Sequence, residues 1–366
     1  MRVLLCPDSF KGCLDALAVA HAMREGVSRA GSHDAVECPV SDGGEGFTQA
    51  IASAAGAELR TLSVTGSHGR SVGVPWCAVD GEAVFTVADI VHLGFVAPGE
   101  RDPGALTTRG IGEMLLAMAR GGAERITVGL GGSGTVDGGV GVALALGFTF
   151  QDENGEAFEP VGNTLGRIAR IEPPKAHPLA GVSVTVANDV DNPLTGEPGA
   201  ARVFGPQKGA TAEQVEQLDD GLANLQRVCS QQNDHPGDGA AGGLGFGLRV
   251  FAGARLTPGS EVVIDAVKLR EKMAGADLVI TGEGRLDMQS VAGKIAWAVG
   301  RLAEELGVPC VCVAGSFGEG WAEAGRVFSR CVRATPEGVD AEAGMRGAES
   351  LIAEAVAGLP ELSGGR

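Results

Sequence analysis

The sequence lacks the cysteine and histidine patterns that build zinc sites, disulfide frameworks or catalytic triads. Its eight cysteines are scattered, none forms a C-x-x-C pair, and most lie within apolar runs, as buried thiols do. The six histidines have no partner spacing. These absences exclude a disulfide-stapled secreted domain and favour a protein of the reducing cytoplasm.

Long hydrophobic runs and positive charge are also scarce. No stretch reaches the ~18–20 uninterrupted apolar residues of a membrane helix. The apolar N-terminus is interrupted at Asp8 and Lys11, which fits a buried first strand better than a signal peptide. Because 29 basic residues face 46 acidic ones, the net charge is −17, which argues against nucleic acid and anionic membranes as partners. An anionic ligand would therefore need local lysines, backbone amides or a metal ion.

The length and the hydrophobic pattern predict two α/β domains. At 366 residues the chain exceeds one ordinary domain. Apolar strands alternate with helices near both termini, the pattern of a covered parallel sheet, whereas the middle contains short β segments joined by turns. We expect a Rossmann-like parallel-sheet domain formed by residues 1–70 and 270–366, and a mixed α/β domain inserted at residues 71–269. The active site would lie in the cleft between them.

Periodicity and turn chemistry predict individual elements. Residues 211–228 form a helix that begins with a capping box. Residues 341–359 form one closing helix, and strands at 148–150 and 157–159 form a hairpin.

The 59 glycines are not periodic but cluster between predicted strands and helices, as is usual where backbone approaches a ligand. One motif, Pro7-Asp8-Ser9-Phe10-Lys11-Gly12, follows the first strand, where open α/β sheets bind ligands. Lys11 suits a carboxylate or phosphate there. A turn with a solvated lysine is the alternative interpretation.

Two pairs of carboxylates also follow strands. Asp42 and Glu45 flank glycines in a loop, where a metal or base site would use both and helix capping would need only Asp42. Asp189 and Asp191 follow a later strand and suit a divalent ion or a hydroxyl proton. An Asx turn before Pro193 is the alternative for the second pair.

The glycine loop at residues 129–139 formally matches the dinucleotide-binding pattern G-x-G-x-x-G, with Asp152 about 20 residues further on. This match favours a nicotinamide-dependent dehydrogenase as the second hypothesis. A dinucleotide fold would place the acidic residue at the end of a second parallel strand, whereas Asp152 lies in the predicted hairpin turn. We expect instead a phosphate-cradling loop in which Ser133, Thr135 and Asp137 add polar contacts.

Further candidates lie in later loops. The segment at residues 237–247 is interpreted either as a mobile, ligand-closing loop or as tight packing. Lys208 supplies a second cation in a rigid turn, and the loop after a late strand carries Glu283 and Arg285.

Together these segments resemble the bacterial glycerate kinase type-1 family, the glycerate 2-kinases, over nearly the whole chain. The motifs that carry the resemblance are PDSFKG at 7–12, PVSDGGEG at 39–46, LGGSGTVDGG at 130–139, DVDNPL at 189–194, FGPQKGA at 204–210, GAAGGLG at 239–245 and DLVITGEGRLD at 277–287. Three residues depart from the usual pattern: Cys13 replaces a Ser or Thr, Val136 an Asn, and Asn188 a Cys.

The resemblance implies ATP-dependent phosphorylation of D-glycerate with Mg²⁺, usually at the 2-hydroxyl to give 2-phosphoglycerate. Phosphoryl transfer requires alignment and charge neutralisation, so we expect the lysines to hold anions and the aspartates to hold Mg²⁺ or accept the hydroxyl proton. The expected catalytic residues are Lys11, Asp42, Asp189, Asp191 and Lys208, with Asp189 and Asp191 also as metal ligands. The expected binding residues are Ser9, Glu45, Gly131, Gly132, Ser133, Thr135, Asp137, Gly242, Gly243, Glu283 and Arg285.

Within the carboxylates, the sequence does not rank the pair Asp42 and Glu45 against the pair Asp189 and Asp191. A non-catalytic protein that binds small anions is a third hypothesis, and a homodimer is left open as the oligomeric state.

Overall fold

A computed structural model describes residues 1–97, 99, 101–231, 234–291 and 294–363. It shows an α/β protein with parallel sheets, which confirms the expected fold class. The chain divides into two compact units. Unit 1 comprises Met1–Asp42, Gln49–Ala57 and Pro258–Arg366, and unit 2 comprises Gly43–Thr48 and Glu58–Thr257. No helix in the described ranges is both long and apolar enough to cross a lipid bilayer.

The strands and helices have the following bounds. The strands are β1 Arg2–Pro7, β2 Asp34–Glu37, β3 Arg60–Thr65, β4 Ser71–Val79, β5 Glu82–Thr86, β6 Arg125–Gly129, β7 Thr149–Gln151, β8 Ala157–Phe158, β9 Arg170–Glu172, β10 Ser183–Ala187, β11 Arg255–Thr257, β12 Leu278–Leu286, β13 Cys310–Phe317 and β14 Arg330–Arg333. The helices are α1 Ala16–Ala30, α2 Phe47–Ala55, α3 Ala88–Val91, α4 Arg109–Arg120, α5 Val140–Ala145, α6 Ala200–Phe204, α7 Ala212–Val228, α8 Ala240–Ala252, α9 Gly259–Ala266, α10 Leu269–Ala274, α11 Met288–Val291, α12 Ile295–Leu306, α13 Trp321–Ala324, α14 Ala341–Arg346, α15 Ala348–Ala357 and α16 Pro360–Ser363.

The unit boundaries fall earlier in the chain than the expected changes at 70/71 and 269/270. Strand β3 pairs antiparallel with β4, so the chain enters unit 2 before β3, at Ala57/Glu58. Strand β11 pairs with β10 in unit 2, and the chain returns to unit 1 directly after it, at Thr257/Pro258. Strand pairing therefore sets these two boundaries, and the short segment Gly43–Thr48 also belongs to unit 2.

Capping and pairing confirm several predicted elements. Helix α7 begins after Thr211, whose side chain accepts a hydrogen bond from the Gln214 N–H while the Thr211 N–H donates to Gln214 Oε1. Strands β7 and β8 pair antiparallel as the expected hairpin. The single closing helix was wrong, because the backbone leaves helical geometry at Gly347 and separates α14 from α15. Glycine is a poor helix residue, and here it ends one helix where the next begins.

Unit 1 is built on a parallel sheet with the order β14-β13-β12-β1-β2. Counted along the chain within this unit, the order is 2-1-3-4-5, which is that of flavodoxin-like folds. The order reverses between β1 and β12. In such sheets the crevice beyond the carboxyl ends of the two strands at the reversal binds ligands.

Unit 1 packs helices closely against this sheet. Val3 and Leu5 of β1 are fully buried with Met23 of α1 and Val356 of α15. A side chain at Gly26 would place its Cβ 2.7 Å from the Val356 Cβ. Because glycine removes that atom, α1 and α15 approach each other directly.

Unit 2 contains a six-stranded sheet with the order β11-β10-β6-β5-β4-β3 and a three-stranded antiparallel sheet with the order β8-β7-β9. In the larger sheet, β5, β6, β10 and β11 are parallel, whereas β4 pairs antiparallel with both β5 and the edge strand β3. The loops after β6 and β10 carry many of the expected residues of unit 2, whereas Glu45, Lys208, Gly242 and Gly243 lie elsewhere in this unit.

The glycine loop at residues 130–139 packs against the start of α8, where Gly242 and Gly243 have left-handed backbone angles. A Cβ at Gly242 would overlap Thr135 O, and one at Gly139 would lie 2.6 Å from the Gly247 Cα. Such backbone-to-backbone packing requires glycine. It favours the tight-packing interpretation of residues 237–247.

Two buried charged groups hold this loop. Asp137 is inaccessible to solvent and accepts hydrogen bonds from the Thr108 N–H (2.9 Å), the Thr108 hydroxyl (2.8 Å) and the Gly139 N–H (3.0 Å). The Lys208 Nζ donates to Thr135 O at 2.8 Å. Burial lowers the pKa of Lys208 to about 7, and the charge of Asp137 opposes that shift only in part.

Gly242→Ala is expected to destabilise the protein more than Gly155→Ala. The two glycines have nearly the same φ, +77° and +78°, but a Cβ at Gly155 meets no atom within 4 Å. Both variants incur ~1–2 kcal/mol for the left-handed backbone, and Gly242→Ala adds ~1–3 kcal/mol of overpacking. Urea unfolding measures the difference, and equal losses in the two variants would contradict the packing described above.

Lys208→Met is expected to change how stability depends on pH. Between pH ~7 and the ordinary lysine pKa of 10.5, the unfolded chain keeps the Lys208 proton while the folded protein has lost it. The wild type should therefore gain free energy of unfolding relative to Lys208→Met as pH rises through this window. Denaturant unfolding at several pH values measures this, and parallel profiles for the two proteins would show that Lys208 stays charged when buried.

Candidate active site

In unit 1, charged side chains gather at the carboxyl ends of β1 and β12, where the strand order reverses. Asp8 directly follows β1, and its N–H donates to Gly282 O at 2.9 Å, so the strand pairing continues to this residue. Glu283 lies on β12 one residue further along. The fold therefore brings two carboxylates from distant parts of the sequence to one crevice.

Lysines pair with the carboxylates around this crevice. The Lys11 Nζ lies 3.1 Å from Asp42 Oδ2, and the Lys294 Nζ lies 2.9 Å from Glu283 Oε2. The Lys11 side chain is 75% exposed, whereas that of Glu283 is only 4% exposed. One ion pair is thus open to solvent and the other is anchored at the buried end of the site.

The carboxylates of this site oppose one another's ionisation. Burial raises the pKa of Asp8 to about 7, with the charge of Asp42 adding to the shift. Burial also raises the pKa of Glu283, although its hydrogen bond from Lys294 acts in the opposite direction. A cation bound here would relieve both effects, because it favours the charged form of each carboxylate.

Two buried polar atoms beside the crevice have no hydrogen-bond partner among the described residues. They are Oε1 of Glu283 and Nε of Arg333. Most buried polar atoms in folded proteins are hydrogen-bonded. The two atoms offer one acceptor and one donor to a ligand.

A cavity of about 490 Å³ opens at this crevice. Its polar lining includes Asp8, Ser9, Lys11, Glu283, Arg285 and Lys294, together with Ser316, Arg333, Thr335 and Glu337 from later in the chain. Unit 1 thus gathers Ser9, Lys11, Glu283 and Arg285 of the expected site around one cavity, and it pairs Asp42 with Lys11.

Sequence reasoning did not select Asp8 or Lys294. Asp8 lay within the quoted motif PDSFKG, but its significance depends on neighbours that only the sheet order supplies. Lys294 immediately precedes α12, and no sequence signal connects it to Glu283. In the structure its Nζ also lies 3.4 Å from Arg285 O.

In unit 2, several of the expected binding residues form hydrogen bonds with other residues of the protein. The hydroxyls of Ser133 and Thr135 bond to each other at 2.9 Å, and both side chains are buried. Asp137 and Lys208 hold the loop as described above. The glycines Gly131 and Gly132 remain partly or fully exposed at its start.

The carboxylates expected in unit 2 are exposed. Glu45 lies in the loop between β2 and α2, and Asp189 and Asp191 follow β10. Asp89 of α3, which sequence reasoning missed, has a buried Oδ2 without a hydrogen-bond partner in the described part of the chain. Burial, with the charge of Glu45 adding, raises the pKa of Asp89 to about 6. No sequence motif contains Asp89.

No group of three or more His, Cys, Asp or Glu side chains within the described ranges is arranged to hold a metal ion. Mg²⁺ in phosphoryl-transfer sites is commonly held by one or two carboxylates together with substrate phosphates and water. The carboxylates described above suit that mode of binding.

The geometry disfavours a dinucleotide site at the loop after β6. In such a site a glycine turn leads directly into a helix whose N-terminus faces the pyrophosphate. Here the chain runs from Gly129 to Val140 before α5 begins, and Asp152 binds the N–H groups of Asn154 and Glu156 within the hairpin.

Comparison with known proteins matches this chain to glycerate kinases over most of its length. The model of the Glycerate kinase family matches residues 3–362. The chain is 40% identical over 329 residues to a glycerate kinase of Halalkalibacterium halodurans, covering 87% of this chain and 86% of that protein. It is 41% identical over 326 residues to a glycerate 2-kinase of Escherichia coli, covering 86% and 85%.

A solved structure shares the fold. The crystal structure of a protein assigned as glycerate kinase 2 from Salmonella typhimurium superposes with a TM-score of 0.85 at 35% sequence identity, covering 98% of this chain and 96% of that one. The sequence match over most of the chain and the shared fold together show that this protein is a kinase and belongs to the glycerate kinase family.

Proposed function

We propose that this kinase transfers the γ-phosphoryl group of ATP to the 2-hydroxyl of D-glycerate, giving 2-phosphoglycerate and ADP. The observation that carries the proposal is the cluster of lysines and carboxylates at the reversal point of the unit 1 sheet, in a chain of this family. The name of the Escherichia coli relative, glycerate 2-kinase, supports the choice of hydroxyl.

Lys11 and Lys294 act on the anionic groups. Phosphoryl transfer needs cations that neutralise charge on the transferred group and align it with the acceptor. The exposed Lys11 ammonium can turn from Asp42 toward a phosphate or the glycerate carboxylate, since exposed ion pairs are weak. Lys294 is held by Glu283 and supplies a fixed positive charge.

The donor set of unit 1 fits Mg²⁺, because carboxylate oxygens are its preferred protein ligands and Glu283 Oε1 is buried without a partner among the described residues. Glu283 and Asp42 would hold the ion, which neutralises phosphate charge when bound. The exposed pair Asp189 and Asp191 of unit 2 is the alternative ligand set expected from sequence. In either case a carboxylate of ordinary pKa suffices as proton acceptor, because the transition state is loose.

We also propose a cytoplasmic location. All eight cysteines are free thiols, and most are buried. Thiols persist in a reducing compartment, which supports this location.

The proposed reaction is tested by mixing the protein with D-glycerate and MgATP. ADP release should depend on D-glycerate, and ³¹P NMR should show 2-phosphoglycerate as the product. A signal from 3-phosphoglycerate would refute the choice of hydroxyl. A change in NAD-linked absorbance without ADP would instead favour a dehydrogenase, and binding of D-glycerate without turnover would favour an anion-binding protein.

Lys11→Met is expected to lower kcat by about 10²-fold, because it removes a cation from the phosphoryl-transfer site. Lys175→Met is the matched control, since Lys175 is exposed in unit 2 and does not line the cavity. Steady-state kinetics measure both variants, with circular dichroism confirming the fold. Turnover by Lys11→Met within a fewfold of the control would remove Lys11 from the mechanism.

The two candidate metal sites are separated by measuring Mn²⁺ binding with ATP by electron paramagnetic resonance. If unit 1 holds the ion, Glu283→Gln should weaken Mn²⁺ binding by about tenfold or more while Asp191→Asn leaves it within a fewfold of wild type. The opposite ranking would assign the ion to Asp189 and Asp191. Glu305→Gln is the control, because Glu305 forms an exposed ion pair with Arg270 away from the cavity lining.

A further inference from the structure

The lining of the cavity of unit 1 includes an apolar wall as well as charged side chains. Asp8 and Lys11 of the charged lining follow β1, and Glu283 and Arg285 lie on β12. The segment that follows β14 and enters α15 contributes Pro336, Val339, Met345, Ala348 and Leu351 to the lining. One cavity therefore presents both cations and a hydrophobic surface to a ligand.

Part of this wall is exposed to solvent. Val339 is 42% and Met345 is 47% exposed, which places them among the most exposed large hydrophobic side chains of the described residues. Cys13 lies against the same wall, and its Sγ lies 3.3 Å from Met345 O. Exposed hydrophobic side chains grouped at a cavity are typical of a ligand-binding surface.

The size and composition of the cavity do not match glycerate alone. A volume of about 490 Å³ lies in the range of sites for ligands of drug-like size, roughly 300–1,000 Å³. Glycerate is a three-carbon acid without an apolar group, so it would leave both the volume and the apolar wall unused. A nucleoside triphosphate has a flat, largely apolar base at one end and a polyanion at the other.

We infer that this cavity binds the nucleoside triphosphate, with its base and ribose against Val339, Met345 and Leu351 and its phosphates toward Lys11, Arg285 and Lys294. This inference rests on the proposed function for the identity of the phosphoryl donor. Glu283 Oε1 and Arg333 Nε, which are buried without a hydrogen-bond partner among the described residues, also favour a polar ligand in the same cavity. In the loop at residues 130–139, by contrast, the side chains of Ser133, Thr135 and Asp137 form hydrogen bonds within the protein.

Cys13 provides a probe of occupancy that does not depend on turnover. It is half-buried and lines the cavity, whereas the half-buried Cys229 and Cys331 lie outside it. Labelling with iodoacetamide followed by peptide mass spectrometry reports each thiol separately. MgATP should slow labelling of Cys13 by about tenfold at saturation and leave the other two thiols unchanged.

Tripolyphosphate distinguishes a base site from a site for any polyanion. It carries the phosphates without base or ribose, so at equal concentration it should protect Cys13 far less than ATP does. Equal protection by the two compounds would overturn the base site. Protection by D-glycerate but not by ATP would assign the cavity to the acid instead.

A space-filling substitution tests the wall directly. Ala348 lines the cavity at the start of α15, so Ala348→Leu should weaken MgATP binding by about tenfold, measured by calorimetry, with KM for D-glycerate changed less than about twofold. Ser350→Leu is the matched control, because Ser350 is exposed on the same helix outside the cavity. Unchanged ATP affinity in a folded Ala348→Leu would overturn the inference.

The inference and the proposed function can fail separately. Formation of 2-phosphoglycerate without protection of Cys13 by ATP would refute the base site and leave the reaction intact. Protection of Cys13 by ATP without phosphorylation of D-glycerate would refute the reaction and leave the nucleotide site intact.

Discussion

The candidate site depends on holding like charges together at the edge of a buried parallel sheet. Asp8 and Glu283 come from adjacent strands whose pairing fixes their positions, and Asp42 adds a third carboxylate. Lys11 pairs with Asp42 and Lys294 pairs with Glu283, which offsets the repulsion, and the raised pKa of Asp8 reduces its negative charge at neutral pH. The same balance makes the site receptive to anions and cations together, as phosphoryl transfer by a kinase requires.

Much of this arrangement follows from the sequence. The alternation of apolar strands and helices at both termini predicts the parallel sheet, and motifs placed after strands predict Lys11, Asp42 and Glu283 as neighbours of a ligand. Asp8 and Lys294 could not be selected, because their roles arise from pairing between β1 and β12 and from the start of α12. Those relations join residues far apart in the chain, and local patterns carry no information about them.

The loop at residues 130–139 shows a different limit of sequence reasoning. Ser133, Thr135 and Asp137 are the residue types that bind phosphate, yet their side chains are buried and bond within the protein. Composition does not tell whether a polar group faces a ligand or stabilises its own loop. Gly242 and Lys208 both contact Thr135 O of this loop. The backbone of α8 approaches the loop so closely that position 242 has no space for a side chain.

The discontinuous course of unit 1 has a consequence for synthesis of the chain on the ribosome. Strand β1 emerges first, but its central partner β12 begins only at Leu278, after the whole of unit 2. At about 5–20 residues per second this interval lasts on the order of 15–50 s. Unit 2, whose residues are nearly contiguous, can complete its sheets during that time, while the apolar β1 has no neighbour on one side. Nascent chains of this protein are therefore expected to expose one unfinished sheet edge until translation is nearly complete, a state in which chaperones would recognise them.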